Sequence, residues 1–492
     1  AEQRAGRAGR TGPGVCYRLW SEAAILEART PPEVHRESLT PMLLAAAAAG
    51  RRLEDLPLLD PPKDYALEAA RDELETLGAF DAEGALTELG RQLFAQPLDA
   101  PHARLLIEAQ RAAPERLGDV IDLVSALAVS RPLFTGPRPG TPEDDLRASG
   151  CDVVTTLRAV RDGEPKRHRL NPFVLAEARR TATRLRRAQG LPERAEEEAP
   201  IDRGALAALF LRADPRTAHV ARRRKRHLAF SNGGTELELG RDSAAWAVAD
   251  ELEAVCVLDS RAIGKGKRDT KIIATCAMPV KTEWLRDAGL GRERVGAVRL
   301  EAGAVLATVE RVFARRVIDE REETPRGALA RDAIVRLLLE GRMLPEARER
   351  AADRLQARGL LAKLAASGAR LGPLDLVSED GPVPTLEEHF AARVRELGVS
   401  SGEDAALLEV EDLLPEDLDP WVREKLDEEY PRTFELGDAC YEVDYDLGRR
   451  QVVMRMVRGT RTTAPPAAYL PSFKGFRVCV ESKKAMHVIR ER

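Results

Sequence analysis

The spacing of apolar residues changes near residue 216 and divides the chain into a helical part and a part rich in strands. Over residues 33–190 apolar side chains recur at helical spacing, as in Leu67, Leu74 and Leu77, and this spacing predicts α-helices. From about residue 216 apolar and polar residues alternate, and Ser231-Asn232-Gly233-Gly234 provides a turn between residues 228–230 and 235–239. The alternation predicts a β-hairpin there and a second hairpin that pairs residues 251–258 with 271–278.

Prolines, glycines and charged runs divide this pattern into five predicted segments. Pro31-Pro32 ends the first segment, and the acidic stretch 193–200 is expected to be an exposed linker. The last segment is mixed, with a β-hairpin predicted over residues 305–318, strands over 434–457, and helices over 328–361 and 386–397. We therefore predict a multi-domain protein, mostly α with β, whose segments are residues 1–30, 31–96, 97–200, 201–296 and 297–492.

Composition agrees with several folded domains and excludes some classes of protein. The chain has 492 residues, with 77 Lys and Arg against 81 Asp and Glu, and a formal net charge of −4. At about 150 residues per domain, this length suggests three or four domains. The six cysteines are scattered without a C-x-x-C pair, so we expect neither a disulfide framework nor a metal site, and a reducing cytoplasm fits best. The longest apolar run, residues 41–49, is far shorter than the ~20 residues of a membrane span.

An arginine and glycine run at the start of the chain is the strongest candidate for chemistry. Arg4, Arg7 and Arg10 follow one another at intervals of three residues, so a helix would carry them along one face. Three aligned guanidinium groups repel one another, and an anion would relieve that repulsion. Planar arginine is well suited to phosphate oxygens, although an exposed basic helix start is the alternative for such a run.

Motif VI of superfamily 2 helicases, in its DEAH/RHA form, resembles the run Gln3-Arg4-x-Gly6-Arg7-x-Gly9-Arg10. The resemblance implies that the run lies on the second RecA-like domain and faces ATP bound to the first. Gln3 would help to place the attacking water or the γ-phosphate, and Arg7 and Arg10 would be arginine fingers. Residues 15–20 resemble the strand that closes this RecA-like domain.

The chain lacks the other parts of an ATP site. It contains no G-x-x-x-x-G-K-[S/T] run and no Asp-Glu-x-His box, so the phosphate cradle and the carboxylates for Mg²⁺ are expected upstream of residue 1. Gly264-Lys265-Gly266-Lys267 does not have the spacing of a phosphate loop and is predicted to be a polar hairpin turn. We expect a C-terminal fragment that does not hydrolyse ATP by itself.

The order of the predicted domains also resembles DEAH/RHA helicases. Residues 31–96 resemble their winged-helix domain, 97–200 their ratchet-like helical bundle, and 201–296 an OB-like β-barrel. Three runs within 297–492 resemble the extra domain of bacterial HrpB-type helicases: Leu300-Glu301-Ala302-Gly303, Glu442-Val443-Asp444-Tyr445 and Leu470-Pro471-Ser472-Phe473-Lys474. The resemblance implies an ATP-dependent RNA helicase that uses ATP with Mg²⁺. Its expected partner is single-stranded RNA, or alternatively DNA, and its expected location is the cytoplasm. Whether an accessory protein activates it is not predicted.

Cationic loops of the predicted barrel are the candidate RNA contacts. Phe230 or Trp246 could stack on a base, and the bundle's last helix has a basic face over residues 179–187. The alternative is that the basic runs are only solvated. A rival function is a non-enzymatic RNA-binding or interaction module. The gene segment upstream of residue 1 would distinguish this module from a helicase. The predicted RNA-binding cations are Arg222, Arg223, Arg224, Lys225 and Arg226, followed by Lys265, Lys267 and Arg268.

Overall fold

A computed structural model describes residues 2–21, 24, 31–135, 146–194, 200–225, 227–264, 270–366, 382–461, 463–481 and 486–490. The chain forms two compact units, Ala1–Ala288 and Gly289–Arg492. Both contain helices and sheets, so the mixed α and β composition that the sequence predicts is present. Among the described residues, no helix is both long and apolar enough to cross a membrane.

The first unit begins with a series of helices, and capping residues determine where some of them start. Thr87 begins one of them, because its hydroxyl accepts a hydrogen bond from the Gly90 N–H at 2.9 Å. An isolated antiparallel bridge joins Phe80 to Leu86. The helices of this unit are α1 (Glu2–Ala5), α2 (Thr40–Ala48), α3 (Asp64–Thr76), α4 (Glu88–Phe94), α5 (Ala100–Ala112), α6 (Leu117–Leu127), α7 (Asp152–Asp162), α8 (Pro172–Ala188), α9 (Arg203–Ala213) and α10 (Thr282–Asp287).

A buried ionic network joins three helices of the bundle, α6, α7 and α8. Asp122 on α6 accepts hydrogen bonds from Arg161 at 2.8 Å and from Arg186 at 2.9 and 2.7 Å. Asp119, one turn earlier, accepts from Arg161 at 2.5 Å. Asp122 and Arg186 are only 3% and 4% exposed, so each charge depends on the other for compensation.

Five strands after the bundle close into a barrel in the order β1-β2-β3-β5-β4. Only β3 and β5 run parallel, and both predicted hairpins are confirmed, as β2–β3 and β4–β5. Asn232 shapes the first turn by accepting from the N–H groups of Gly234 and Thr235 at 3.0 and 2.7 Å. The strands are β1 (Ala218–Arg224), β2 (His227–Ser231), β3 (Glu236–Leu239), β4 (Ala254–Ile263) and β5 (Lys271–Val280).

The carboxylate of Asp152 joins the bundle to the barrel. It lies at the first turn of α7 and is 8% exposed. One oxygen, Oδ2, accepts from Ser243 Oγ at 2.7 Å and from the Ala277 N–H of β5 at 3.0 Å. The other oxygen, Oδ1, accepts from the Ala244 N–H at 2.6 Å. A single side chain therefore satisfies donors from two different parts of the barrel wall.

We expect Asp152→Asn to destabilise this unit by about 2 kcal/mol, because hydrogen bonds to a charged acceptor are the strong ones. The amide NH₂ of asparagine would face at least one of the N–H donors that the carboxylate now accepts from. Urea unfolding of the wild type and the variant measures the change. The exposed Asp64→Asn on α3 serves as the control, and equal stability of the two variants would contradict the role given to Asp152.

The second unit contains two sheets, each with its own helical cover. A three-stranded antiparallel sheet has the order β6-β7-β8, and a five-stranded sheet has the order β13-β12-β11-β10-β9. The strands are β6 (Arg292–Glu301), β7 (Ala304–Phe313), β8 (Arg316–Glu323), β9 (Thr433–Leu436), β10 (Ala439–Asp446), β11 (Gln451–Arg458), β12 (Arg477–Glu481) and β13 (Met486–Arg490). The helices are α11 (Gly327–Leu339), α12 (Pro345–Ala366), α13 (Leu386–Glu396) and α14 (Pro420–Glu429).

The helical stretch predicted over residues 328–361 is interrupted. Gly341 has a φ of +68°, which ends α11 before α12 begins at Pro345. The three runs singled out in this unit serve its fold: Ala302 and Gly303 turn the chain between β6 and β7, Tyr445 packs in the core against Phe473, and Lys474 pairs with Glu429 at 3.1 Å.

Candidate functional site

The arginine and glycine run at the chain start is not the continuous helix that the spacing of its arginines suggested. Helix α1 ends at Ala5, and residues 6–9 form turns. Glycine costs about 1 kcal/mol relative to alanine inside a helix, and two glycines within four residues oppose its continuation. Gly14 lies against the turn, since a Cβ added to it would clash with the backbone carbonyl of Ala8.

The two predicted arginine fingers are available to a ligand. Gln3 lies on α1, Arg7 within the turns and Arg10 at a bend directly after them. Arg7 and Arg10 are both exposed, and within the described residues neither forms an ion pair with a carboxylate. Their guanidinium groups fit the charge of a phosphate, although the side chains do not line one helix face.

The segment after this run is not a β-strand. Residues 13–19 have no regular secondary structure, so the strand predicted over residues 15–20 is not formed. Val15, Tyr17 and Leu19 are 74%, 83% and 94% exposed. A strand needs a neighbour to pair its N–H and C=O groups, and the described residues provide none here.

Arg223 in the basic run of the barrel has a structural contact. Its guanidinium donates to the carbonyl oxygens of Ala249, Asp250 and Leu252 at 2.6, 2.9 and 3.2 Å. These three carbonyls close the end of the 3-10 helix Ala244–Glu251. Arg223 therefore holds the barrel wall, where the sequence alone suggested a phosphate contact.

Among the neighbours of Arg223, Arg222 is half-buried, whereas Arg224 and Lys225 are exposed. Arg222 donates to Glu236 at 3.3 Å, and Arg224 lies 3.9 Å from the same carboxylate. Lys225 occupies the turn after β1 with a φ of +49° and is exposed. Arg226 lies outside the described residues. The arrangement offers exposed positive charge at one hairpin end of the barrel.

Phe230 cannot stack on a base, contrary to our expectation. Its side chain is 0% exposed and packs in the barrel core with Leu237, Leu239 and Val255. A period of two tells which strand residues share a face, but not which face is inside the barrel. Trp246 remains an exposed aromatic, 42% accessible, with its indole N–H donating to the Gly240 carbonyl at 2.8 Å.

The second predicted cationic loop joins β4 and β5. These strands pair as far as Ile263 and Lys271. The predicted contacts Lys265, Lys267 and Arg268 lie between these ends and outside the described residues. Over the described part of the chain, no three His, Cys, Asp or Glu side chains converge as metal ligands would.

Comparison with known proteins relates the chain to one group. No protein-family model matches it. It is 35% identical over 149 residues, 30% of this chain, to the pre-mRNA-splicing factor ATP-dependent RNA helicase prp22 of Schizosaccharomyces pombe. It is 34% identical over 160 residues, 29% of this chain, to the ATP-dependent RNA helicase DEAH13 of Arabidopsis thaliana. The matched part is related to DEAH-box RNA helicases.

The chain covers only a small part of those DEAH-box relatives, 12% and 13% of their lengths. Two crystal structures of the Escherichia coli helicase HrpB are also similar. One covers 98% of this chain and 55% of that protein, with a TM-score of 0.46 and 17% identity. The other covers 92% and 52%, with a TM-score of 0.45 and 17% identity.

Proposed function

We propose that this chain is the C-terminal part of an HrpB-type, ATP-dependent RNA helicase of the DEAH/RHA group. The observation that carries the proposal is the similarity to two ATP-dependent RNA helicases, at 35% and 34% identity over 149 and 160 residues. The motif VI-like run also supports it, because Arg7 and Arg10 are exposed. The comparisons do not favour the rival, a non-enzymatic RNA-binding or interaction module.

In this proposal each described subdomain corresponds to one domain of the DEAH/RHA helicases. Helices α2–α4 would be the winged-helix domain, residues 31–96, with the Phe80–Leu86 bridge as its small wing. Helices α5–α8 are the ratchet-like bundle, residues 97–200. The closed five-stranded barrel within residues 201–296 is OB-like, since one parallel pair among antiparallel strands closes it. Residues 1–30 end the second RecA-like domain, and 297–492 form the HrpB-type domain.

The nucleotide chemistry would be completed across a cleft between two domains. ATP bound with Mg²⁺ elsewhere in the parent protein would present its γ-phosphate to Gln3, Arg7 and Arg10. The two guanidinium groups would neutralise charge that develops on the transferred phosphoryl group, which is how arginine fingers act. The carboxylates for Mg²⁺ would come from outside residues 1–492, and this chain by itself would not hydrolyse ATP.

RNA would be held through cations of the barrel and its loops. The proposed contacts are Arg222, Arg224, Lys225 and Arg226 at one loop and Lys265, Lys267 and Arg268 at the other. Arg223 and Phe230 are left out because their side chains hold the barrel. Single-stranded RNA is the proposed partner, DNA is the alternative substrate, and the cytoplasm is the proposed location.

ATP hydrolysis by the longer parent protein tests the proposal. We expect turnover that rises on addition of single-stranded RNA, because the nucleic acid would order the interface that carries Arg7 and Arg10. Phosphate release with and without RNA measures it, and residues 1–492 alone serve as the inactive control. A parent protein without ATP turnover in either condition would contradict the proposed enzyme.

A further inference from the structure

A groove of about 260 Å³ lies between helix α12 and strand β10 in the second unit. Gln356, Gly359 and Lys363 line it from successive turns of α12. Val443 and Tyr445 line it from β10. These residues belong to the unit Gly289–Arg492, for which the proposed helicase chemistry gives no role.

The edge of β10 at this groove is only partly paired. Strand β9 pairs with residues 439–442, whereas β10 continues to Asp446. The next contact on this side is the Val443 N–H, which donates to the Arg432 carbonyl at 2.9 Å. Backbone groups of a strand point to the same edge at every second residue, so those of Tyr445 point to this edge, where no described strand lies. A short stretch of β10 is therefore open to a further chain.

Gly359 widens the groove on the helix side. It lies in the interior of α12, where glycine is a poorer helix former than any residue except proline. A Cβ added to it would meet no atom within 4 Å, so packing within the protein does not require a glycine there. Glycine is commonly used where a backbone must approach another group closely. The space beside Gly359 is the space that an incoming chain would need.

The charges on the strand side of the groove favour a basic residue. Glu442 and Asp444 are exposed on β10, and within the described residues neither forms a salt bridge. The cross-strand neighbour of Glu442 is Arg455, whose guanidinium already donates to Glu481. Opposite charges on neighbouring strands attract, so a lysine or arginine beside Asp444 would be stabilised.

The helix side of the groove offers a hydrogen-bond donor. Arg432 also lines the groove, but it is paired with Asp427 at 3.0 Å and with Asp353 at 2.9 Å. Lys363 is exposed, and over the described part of the chain it forms no salt bridge. Its ammonium group can donate to the carbonyl oxygens of a bound chain.

We infer that this groove binds a short extended segment of a partner protein, which adds as a strand to β10 and places a basic side chain beside Asp444. Its backbone would pair with Tyr445, and its carbonyl oxygens would reach Lys363 as it passes Gly359. Added strands of this kind gain affinity from main-chain hydrogen bonds and specificity from alternate side chains. The inference goes beyond the proposed function and does not depend on it.

Peptide binding by the whole 492-residue chain tests the groove. The probe is a fluorescein-labelled peptide of sequence SVKVKV, and a second peptide, SVEVEV, reverses its charge. Anisotropy titrations give the affinity of each. The wild type should bind the lysine peptide about tenfold more tightly than the glutamate peptide, because the latter would bring carboxylates beside Glu442 and Asp444.

Gly359→Leu tests the groove through its shape. The added side chain should occupy the groove and weaken binding of the lysine peptide about tenfold or more. Leucine is a better helix former than glycine, so this variant should unfold at the same temperature as the wild type or higher. Ala365→Leu is the matched control, because Ala365 is exposed on the same helix and does not line the groove. Its affinity should stay within about twofold of the wild type.

Asp444→Lys tests the groove through its charge. The variant should reverse the preference and bind the glutamate peptide about fivefold more tightly than the lysine peptide. Glu416→Lys, at an exposed position outside the groove lining, should keep the preference of the wild type. Equal circular dichroism spectra establish that the variants are folded.

Four results would overturn the inference. They are no binding of either peptide by the wild type up to about 1 mM, equal affinities of the wild type and Gly359→Leu, an unchanged preference in Asp444→Lys, and displacement of the peptide by oligouridine. The last result would indicate nucleic acid as the occupant. None of the four involves ATP, so turnover by the parent protein decides the proposed function separately.

Discussion

Alanine at Arg7 or Arg10 is expected to reduce the ATP turnover of the longer parent protein by about 10³-fold or more. An arginine finger stabilises charge that is present mainly in the transition state, so kcat should fall much more than the affinity for ATP. Both side chains are exposed and lack carboxylate partners in the described residues, and their removal should not unfold the protein. Phosphate release under saturating ATP and RNA measures the effect.

Arg18→Ala is the matched control for the finger variants. Arg18 is also exposed and lies in the same N-terminal segment, outside the motif VI-like run. Its turnover should stay within about twofold of the wild type, because exposed charges away from the nucleotide are screened. RNA affinity should be unchanged in all three variants. Turnover that survives in both Arg7→Ala and Arg10→Ala would refute the finger assignment.

The second large effect is expected at Asp122 in the bundle. Asp122→Ala removes the acceptor of two arginines and leaves the charge of Arg186, which is 4% exposed, without compensation. Breaking a buried pair from one side costs about 3–5 kcal/mol. Urea unfolding of the 492-residue chain, followed by helical circular dichroism, should show this loss in the unit that contains α6, α7 and α8.

Glu88→Ala provides the comparison for an exposed pair. Glu88 accepts from Arg91 at 3.0 Å, but both side chains are largely solvated. An exposed ion pair of this kind contributes about 0–1 kcal/mol, so the variant should be nearly as stable as the wild type. If Asp122→Ala were no more harmful than Glu88→Ala, the network would not be holding the helices together.

Local signals in the sequence were enough to predict most helices and both barrel hairpins. Helix α3 contains Leu67 and Leu74 and ends one residue before Leu77, because apolar spacing and capping residues act over a single turn. The Asn232-Gly233 turn likewise depends on neighbours two and three residues away. The helix suggested for the start of the chain is not formed beyond Ala5, because two glycines oppose the helix that the regular spacing of the arginines indicated.

The roles of individual arginines depended on residues far along the chain. The acceptors of Arg223 lie 26 to 29 residues away, and Arg186 meets Asp122 across 64 residues. The sequence therefore marks residues 179–187 and 222–226 as basic without separating structural cations from available ones. Helical spacing gives a partial signal, because Arg186 lies beside the buried Ala182 and Leu185, whereas Arg180 and Arg184 lie on the exposed side.

The contact of Arg223 with three carbonyl groups changes how mutagenesis of the basic run must be interpreted. A variant that neutralises every cation from Arg222 to Arg226 would also release the end of the neighbouring 3-10 helix, so weaker RNA binding could arise from a loosened wall. Charge removal at Arg224 and Lys225 with Arg223 kept intact separates the two causes. The run thus contains an internal reference residue, which reports on fold integrity while its neighbours report on the ligand.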